Sequence, residues 1–140
     1  MINPIEHTRT RDAVQKYKVE PYVIPADIYG AGNLAGRGGW TWYTGSASWY
    51  YKAGIEYILG LKIENNVMTV KPCIPKEWDE FRIDYLYGKS VYHIIVRNNG
   101  EEIDDKNGEN KILINGKEAD NKIILDGNGG IYNIEVFLFS

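Results

Sequence analysis

The sequence predicts an α+β fold in which a helical first part precedes an antiparallel β-sandwich. Apolar residues recur at helical spacing from Ala47 to Leu59, and after Asn65-Asn66 their period changes to two. About six short apolar runs then follow, separated by turn residues, which is typical of a sandwich. Helices followed by strands indicate two segregated layers or two domains.

The composition excludes several classes of protein. The chain has 140 residues, of which 44% are hydrophobic and 25% charged, as in ordinary globular proteins. Its net charge of −3 argues against a nucleic-acid partner. Cys73 is its single cysteine, so no intrachain disulfide forms, and one cysteine with two distant histidines gives no metal-ligand pattern. With no signal-peptide pattern and no membrane-spanning run, we expect a cytoplasmic location without membrane contact.

The helical part begins with short elements. Thr10 is a suitable N-cap for a helix over Arg11–Lys18. A second short helix is predicted to start at Glu20-Pro21, because proline is tolerated at the first helical position. Five glycines within Gly30–Gly39 predict an exposed loop.

The clearest helix follows this loop. Thr44 or Ser46 can cap it, and Gly60 supplies a stop. Its circumference is largely apolar, so we expect it to be buried on more than one side.

Period-two patterns predict the strands of the second part, with a hairpin turn at Tyr87–Ser90 and another turn at Asn115-Gly116. The predicted strands are Val67–Val70, Phe81–Tyr87, Val91–Val96, Lys111–Ile114, Lys122–Leu125 and Ile131–Leu138.

A possible anion site lies at the start of the clearest helix. A helix N-terminus carries unpaired N–H groups and a partial positive charge. Thr44 and Ser46 add hydroxyl groups there, and Gly45 lets a ligand approach the backbone without a Cβ in the way. This pattern suits phosphate or sulfate, although the same residues are also ordinary capping residues.

Aromatic residues surround this turn. They can stack on the apolar faces of sugar rings, or they can fill a core, as large aromatics commonly do. These residues are Trp40, Trp42, Tyr43, Trp49 and Tyr50.

Other polar candidates are more dispersed. Glu20 and Asp27 are seven residues apart, so a continuous helix would place them on one face as a possible acid–base pair, with solvated surface charges as the alternative. His7 and His93 have no partner evident from sequence, but His93 lies in a predicted strand, where we expect a satisfied structural histidine. Arg37 can either reach an anion or remain solvated.

Four blocks of the sequence together resemble the C-terminal end of glycoside hydrolase family 94. The blocks are NPIEHTRT, YKVEPYVIPADIY, GRGGWTWYTGSASWYYKAGIEYILGLK and PCIPKEWDEFRIDYLYG, within about residues 3–98. The family includes cellobiose- and chitobiose-type phosphorylases and the phosphorylase-like region of cyclic β-1,2-glucan synthases, and the WTWYTG wording looks most like the β-1,2-glucan branch. The resemblance implies that residues 1–64 are the last helices of an (α/α)6 barrel and that residues 65–140 form a jelly-roll-like β-sandwich.

The resemblance also implies a chemistry, the inverting cleavage of a β-glucoside by inorganic phosphate, with phosphate as co-substrate and no other cofactor or metal. Thr44 and Gly45 match the family's phosphate-binding pair, and Trp40, Trp42 and Tyr43 match the region near its glucose subsite. The family's general acid and its phosphate-binding His and Arg belong to motifs that this chain lacks. No catalytic residue is therefore assigned, and the chain alone is expected to be inactive.

Three hypotheses follow from these observations. The chain is an enzyme part that needs an upstream barrel or a second copy, a carbohydrate-binding module for β-glucan, or a structural remnant without ligand. In cellobiose-type members a Gln follows the EPYV block, whereas this sequence has Pro25-Ala26-Asp27 there, so cellobiose specificity is not expected. The expected partners are phosphate and a β-glucan or gluco-oligosaccharide, and not nucleic acid.

Overall fold

A computed structural model describes residues 3–20, 23–42, 44–98 and 110–138 of the chain. Their contacts divide the chain into a first unit, Met1–Gly54, and a second unit, Ile55–Ser140. Within these described ranges, no helix has the length and apolar character that crossing a bilayer requires.

The first unit combines short helices with one small two-stranded sheet. Its buried core, as far as the described residues show it, consists of Tyr17, Val19 and Val23, with Ile28 packed against them. Its elements are a 3-10 turn (Glu6–Thr8), α1 (Arg11–Tyr17), β1 (Asp27–Ile28), a 3-10 turn (Gly32–Leu34), β2 (Gly38–Gly39) and α2 (Thr44–Ala53).

The predicted cap of α1 is confirmed. The Thr10 hydroxyl oxygen accepts a hydrogen bond from the Ala13 N–H at 3.2 Å, and Lys18 ends the helix in the left-handed conformation. The helix predicted to start at Glu20-Pro21 is wrong, because residues 23–25 are not helical, although Pro21 itself lies outside the described residues. The physical reason is Pro25, which disfavours a helical conformation at the residue before it.

The glycine-rich segment is only partly the exposed loop that the sequence predicts. Its last two residues, Gly38 and Gly39, are buried and form β2, which pairs antiparallel with Asp27–Ile28. A side chain at Gly38 would collide with Val19, so close packing requires a glycine there. The pairing fixes the backbone that enters the aromatic segment.

Helix α2 begins at Thr44, and the chain continues through a π-helical turn at Gly54–Ile58 to the predicted stop at Gly60, which has a φ of +71°. The expected burial of this helix is wrong. None of its described side chains is buried, and Trp49 and Tyr51 are 70% and 73% exposed. The small core of the first unit explains why its aromatic residues remain at the surface.

The second unit is built from two sheets. The five-stranded sheet has the order β5-β6-β10-β7-β8, and the three-stranded sheet has the order β3-β4-β9. The strands are β3 (Leu61–Glu64), β4 (Val67–Val70), β5 (Glu80–Tyr87), β6 (Ser90–Arg97), β7 (Lys111–Ile114), β8 (Lys117–Ala119), β9 (Ile123–Ile124) and β10 (Ile131–Phe137).

Both sheets contribute to one core, as in a β-sandwich. Met68 of the smaller sheet and Ile94, Val96, Ile134 and Val136 of the larger one are each at most 1% exposed. The buried members of this core are Leu61, Met68, Val70, Tyr92, Ile94, Val96, Ile112, Ile123, Leu125, Ile134 and Val136. The predicted class of helices followed by a β-sandwich is thus confirmed, whereas an (α/α)6 barrel remains a prediction.

The sheets differ from the prediction in three details. Strands β3 and β8 were not predicted. Among the described strands of these sheets, all pairs are antiparallel except that Ile131–Phe137 runs parallel to Val91–Arg97. A strand's apolar alternation reveals which face is buried but not the direction of its neighbour, which explains why the parallel pair was missed.

Candidate functional site

The residues just before α2 have an unusual backbone. Trp40 and Trp42 have φ values of +46° and +65°, in the left-handed region that bulky residues rarely adopt. Both side chains point outward, with exposed fractions of 75% and 65%. Holding a non-glycine residue in this region costs on the order of 1–3 kcal/mol. The fold therefore displays two large rings at a conformational cost, and neither ring fills a core.

Contacts from the preceding chain hold this turn. The Ala26 N–H donates to the Trp40 carbonyl oxygen at 3.2 Å, immediately beside the β1–β2 pairing. The Trp42 indole Nε1–H donates to Glu20 Oε1, also at 3.2 Å. Glu20 thus contacts a residue 22 positions later in the chain, and the ring of Trp42 is anchored at its polar edge.

Glu20 was expected to be a solvated surface charge or a member of an acid–base pair with Asp27. In the structure its carboxylate instead accepts a hydrogen bond from Trp42. Its Oε2 atom is buried and has no hydrogen-bond partner among the described residues. Asp27 is exposed on β1, and no helix connects the two carboxylates. Sequence reasoning missed this role of Glu20, because no local spacing indicates a contact across 22 residues.

The predicted phosphate residues occupy the start of α2. Thr44 is the first residue of the helix and Gly45 the second, and Gly45 is half-buried. Ser46 is not the N-cap, since it is the third residue of α2, and its hydroxyl donates to the Ile24 carbonyl oxygen at 3.0 Å. Tyr43 lies outside the described residues. In chain order, therefore, the exposed Trp42 lies two positions before the helix N-terminus.

The remaining aromatics of the segment differ in setting. Trp49 is exposed on α2, with the Lys52 ammonium nitrogen 5.6 Å from its ring centroid. Tyr50 is half-buried. Burial raises the pKa of Tyr17 above its ordinary value, and Tyr50 raises this pKa further. The Tyr17 hydroxyl is buried and has no partner among the described residues.

The other polar candidates lie apart from this turn. The His7 ring stacks on Tyr17 with centroids 4.1 Å apart. The expected structural histidine at His93 is confirmed, since its Nδ1 lies 2.6 Å from Asp84 Oδ1 on the neighbouring strand. Arg37 is exposed within the glycine-rich segment. The described part of the chain holds no cluster of His, Cys, Asp and Glu that would bind a metal ion.

Comparison with family models divides the chain into two parts. Residues 1–60 match the catalytic domain of the glycosyl hydrolase 94 superfamily. Residues 61–121 match the C-terminal domain of glycosyl hydrolase family 65. The aromatic turn and the start of α2 both lie in the part that matches a catalytic domain.

Curated relatives are similar over most of the chain. Identity is 43% over 115 residues with the cyclic beta-(1,2)-glucan synthase NdvB of Rhizobium meliloti, covering 82% of this chain and 4% of that protein. Identity is 31% over 119 residues with solabiose phosphorylase of Paenibacillus borealis, covering 84% of this chain and 15% of that protein. Identity is 34% over 108 residues with N,N'-diacetylchitobiose phosphorylase of Vibrio furnissii, covering 76% of this chain and 13% of that protein. The chain therefore spans 4 to 15% of the length of these three proteins.

Proposed function

The chain belongs to the glycosyl hydrolase 94 superfamily, and on that premise we propose that it is part of an inverting β-glucan phosphorylase or of a cyclic β-1,2-glucan synthase-like glycosyltransferase. Its contribution is one side of the phosphate and glucose site. The observation that carries this proposal is the pair of exposed, left-handed tryptophans directly before the N-terminus of α2.

We propose that Thr44 and Gly45 bind the attacking phosphate. Helix α2 has ten residues and begins at Thr44, so its first turn offers unpaired N–H groups and the positive end of a helix dipole. Helix N-termini commonly bind phosphate for this reason. Gly45 leaves the second backbone position without a Cβ, which lets a phosphate oxygen come close.

We propose that Trp40 and Trp42, together with Tyr43, form the sugar-binding surface. Trp40 and Trp42 expose large rings two residues apart in the chain, and clustered exposed apolar surface indicates a binding site. The apolar C–H face of a glucose ring packs on such a surface. The names of the relatives, which include a β-(1,2)-glucan synthase and two disaccharide phosphorylases, support a saccharide as the ligand.

The reaction needs groups beyond those assigned here. A phosphate oxygen bonds to the anomeric carbon as the glycosidic carbon–oxygen bond breaks, and a carboxylic acid protonates the departing oxygen. We assign no general acid to this chain, so the acid belongs to the remainder of the protein or to a partner. The chain alone is proposed to bind ligands without turnover.

We further propose that residues 1–64 are the terminal helices of the catalytic barrel and that residues 65–140 are the C-terminal domain. The partner that completes the barrel is the upstream part of the enzyme or, alternatively, a second copy of the chain. The cytoplasmic location stays a prediction.

Isothermal titration calorimetry of the chain with inorganic phosphate tests the phosphate site. Gly45→Val should weaken phosphate binding by roughly tenfold or more, because the added side chain blocks the approach to backbone donors whose charge-assisted bonds contribute about 1.5–3 kcal/mol. Sulfate should compete. Thr69→Val on β4 is a control that should bind phosphate as the wild type does. Equal phosphate affinity in the wild type and Gly45→Val would refute the site.

A carbohydrate-binding module without chemistry is the second candidate, favoured by the exposure of Trp40 and Trp42 themselves. It predicts binding of β-1,2-glucotriose that Trp40→Ala and Trp42→Ala abolish, with no phosphate binding at any accessible concentration. If the chain binds phosphate and Gly45→Val weakens that binding, the enzyme-part hypothesis is supported. If the chain binds neither phosphate nor glucotriose, the hypothesis of a structural remnant without ligand is supported.

A further inference from the structure

We infer that the second unit has a saccharide-binding groove of its own, on the outer face of the three-stranded sheet that β3, β4 and β9 form. A cavity of about 320 Å³ lies on this face. Its lining residues are Lys62, Glu64, Asn65, Val67, Thr69 and Lys122. The groove goes beyond the proposed function, and only the choice of a β-1,2-glucan as its ligand rests on that proposal.

The pairing of the three strands brings these side chains together. Met68 of β4 is fully buried in the core, so Val67 and Thr69 on either side of it lie on the outer face. Lys62 of β3 pairs with Thr69, and the register of β4 with β9, continued by one residue, brings Lys122 beside Thr69 as well. Because adjacent strands are about 4.8 Å apart, the backbones of the two lysines are roughly 10 Å apart across the groove.

The groove offers hydrogen-bond donors and acceptors together. The ammonium groups of Lys62 and Lys122 donate, and the Glu64 carboxylate accepts. The Asn65 amide and the Thr69 hydroxyl can do both. The hydroxyl groups of a saccharide also donate and accept, whereas a phosphate or sulfate ion would be repelled by the carboxylate. The mixture therefore favours a neutral saccharide over an anion.

The polar groups of the groove are available to a ligand. In the part of the chain that the structure describes, the side chains of Glu64, Thr69 and Lys122 form no hydrogen bond or ion pair. The Lys62 ammonium nitrogen lies 4.6 Å from the ring centroid of Tyr57, a cation–π contact that orients it and leaves donors for a ligand. A saccharide can therefore bind here without breaking a hydrogen bond within the protein.

An apolar strip lies beside these polar groups. Val67 lines the groove and pairs with Ile124 of β9, which is 73% exposed. The aliphatic stems of Lys62 and Lys122 add apolar surface at the two sides. The C–H face of a sugar ring can pack on this strip while the hydroxyl groups at its edge reach the polar side chains. The groove thus combines the two kinds of surface that a saccharide site requires.

Nuclear magnetic resonance titration of the whole chain with β-1,2-glucotriose tests the groove separately from the proposed site in the first unit. The backbone amide signals of Glu64, Thr69 and Lys122 should shift along one binding curve. The indole signal that Trp40→Ala removes should follow a second curve. Trp40→Ala should leave the first curve unchanged, because the groove does not use that ring.

Two substitutions test the polar contacts. Lys122→Ala removes a charged donor and should weaken glucotriose binding at the groove about tenfold. Glu64→Gln replaces a charged acceptor with a neutral amide and should weaken this binding about threefold or more. Lys117→Ala and Glu118→Gln make the same charge changes at exposed positions of β8, so they should bind as the wild type does. Thermal unfolding checks that each variant is folded.

The effect of Glu64→Gln also distinguishes a saccharide from an anion. If sulfate shifts the groove amides, glucotriose does not, and Glu64→Gln strengthens sulfate binding, the groove is an anion site and the inference is overturned. Full glucotriose affinity in both Lys122→Ala and Glu64→Gln would overturn it as well.

The two sites can fail separately. Shifts of the Trp40 indole signal without shifts of the groove amides would overturn the groove and leave the proposed function standing. Shifts of the groove amides alone would support the groove and refute the sugar-binding surface of the first unit. An absence of both would overturn both.

Discussion

The two units of the chain use their aromatic and apolar residues in opposite ways. In the described part of the second unit, eleven apolar side chains form one buried core to which both sheets contribute. In the first unit, the described core has three, while Trp40, Trp42, Trp49 and Tyr51 are each at least 65% exposed. The apolar residues of the second unit therefore stabilise its own fold through burial. Those of the first unit are exposed, as they are at a ligand site or an interface.

The largest expected effect is on the core of the second unit. Ile134→Ala removes a fully buried side chain and should lower the free energy of unfolding by about 2–5 kcal/mol, through lost burial and a residual cavity. Ile124 is 73% exposed, so Ile124→Ala should change the free energy of unfolding by no more than about 0.5 kcal/mol. Chemical denaturation measures both. Similar losses in the two variants would show that the sandwich core is not the source of stability.

A matched pair of hydroxyl deletions should have a smaller effect. The Tyr92 hydroxyl donates to the Asp126 carbonyl oxygen at 3.0 Å and accepts from the Asp126 N–H at 2.6 Å. Tyr92→Phe should therefore cost about 1–3 kcal/mol, because it leaves part-buried backbone groups without their partner. Tyr17 is equally buried, but its hydroxyl has no partner among the described residues.

Tyr17→Phe should consequently leave stability unchanged within about 0.5 kcal/mol or increase it. Denaturant unfolding of both phenylalanine variants would distinguish the two units. A cost at Tyr17 as large as that at Tyr92 would mean that the first unit is also held by a polar network.

The smallest effect should appear at alkaline pH. The Tyr132 hydroxyl donates to the Asp126 carboxylate at 3.0 Å, and this bond, followed by burial, raises the pKa of Tyr132 above its ordinary value of 10.0. The unfolded chain thus loses this proton first, so stability falls as the pH rises above about 10. Thermal unfolding should show a weaker decline for Tyr132→Phe than for the wild type. Tyr51→Phe, at an exposed position, should decline as the wild type does.

Much of the second unit could be predicted from sequence because its signals are local. Alternating exposure along Glu80–Tyr87 and Ser90–Arg97 follows directly from the period-two pattern, and Gly88, with a φ of +59°, occupies the predicted hairpin turn. The Thr10 cap was likewise evident from residue type alone. Each of these features depends on residues within a few positions of one another.

The first unit was harder to predict because its features are either non-local or rare. The contact between Glu20 and Trp42 spans 22 residues, and propensity gives no reason to place Trp40 or Trp42 in the left-handed region. The burial of α2 was mispredicted because an apolar pattern indicates which helix face is suited to packing but does not show whether another part of the same chain packs against it.

The parallel pairing of β10 with β6 has a consequence for how the sandwich assembles. Strand β10 lies between β6 and β7, so the β7–β8 hairpin has no place in the larger sheet until β10 has been synthesised and inserted. Residues 131–137 pair with residues 91–97, a separation of forty positions, and such distant pairings slow folding. In a nascent chain that stalls before Ile131, the larger sheet would consist of two disconnected hairpins, β5–β6 and β7–β8, with open edges. Chaperones or self-association would act first at those edges.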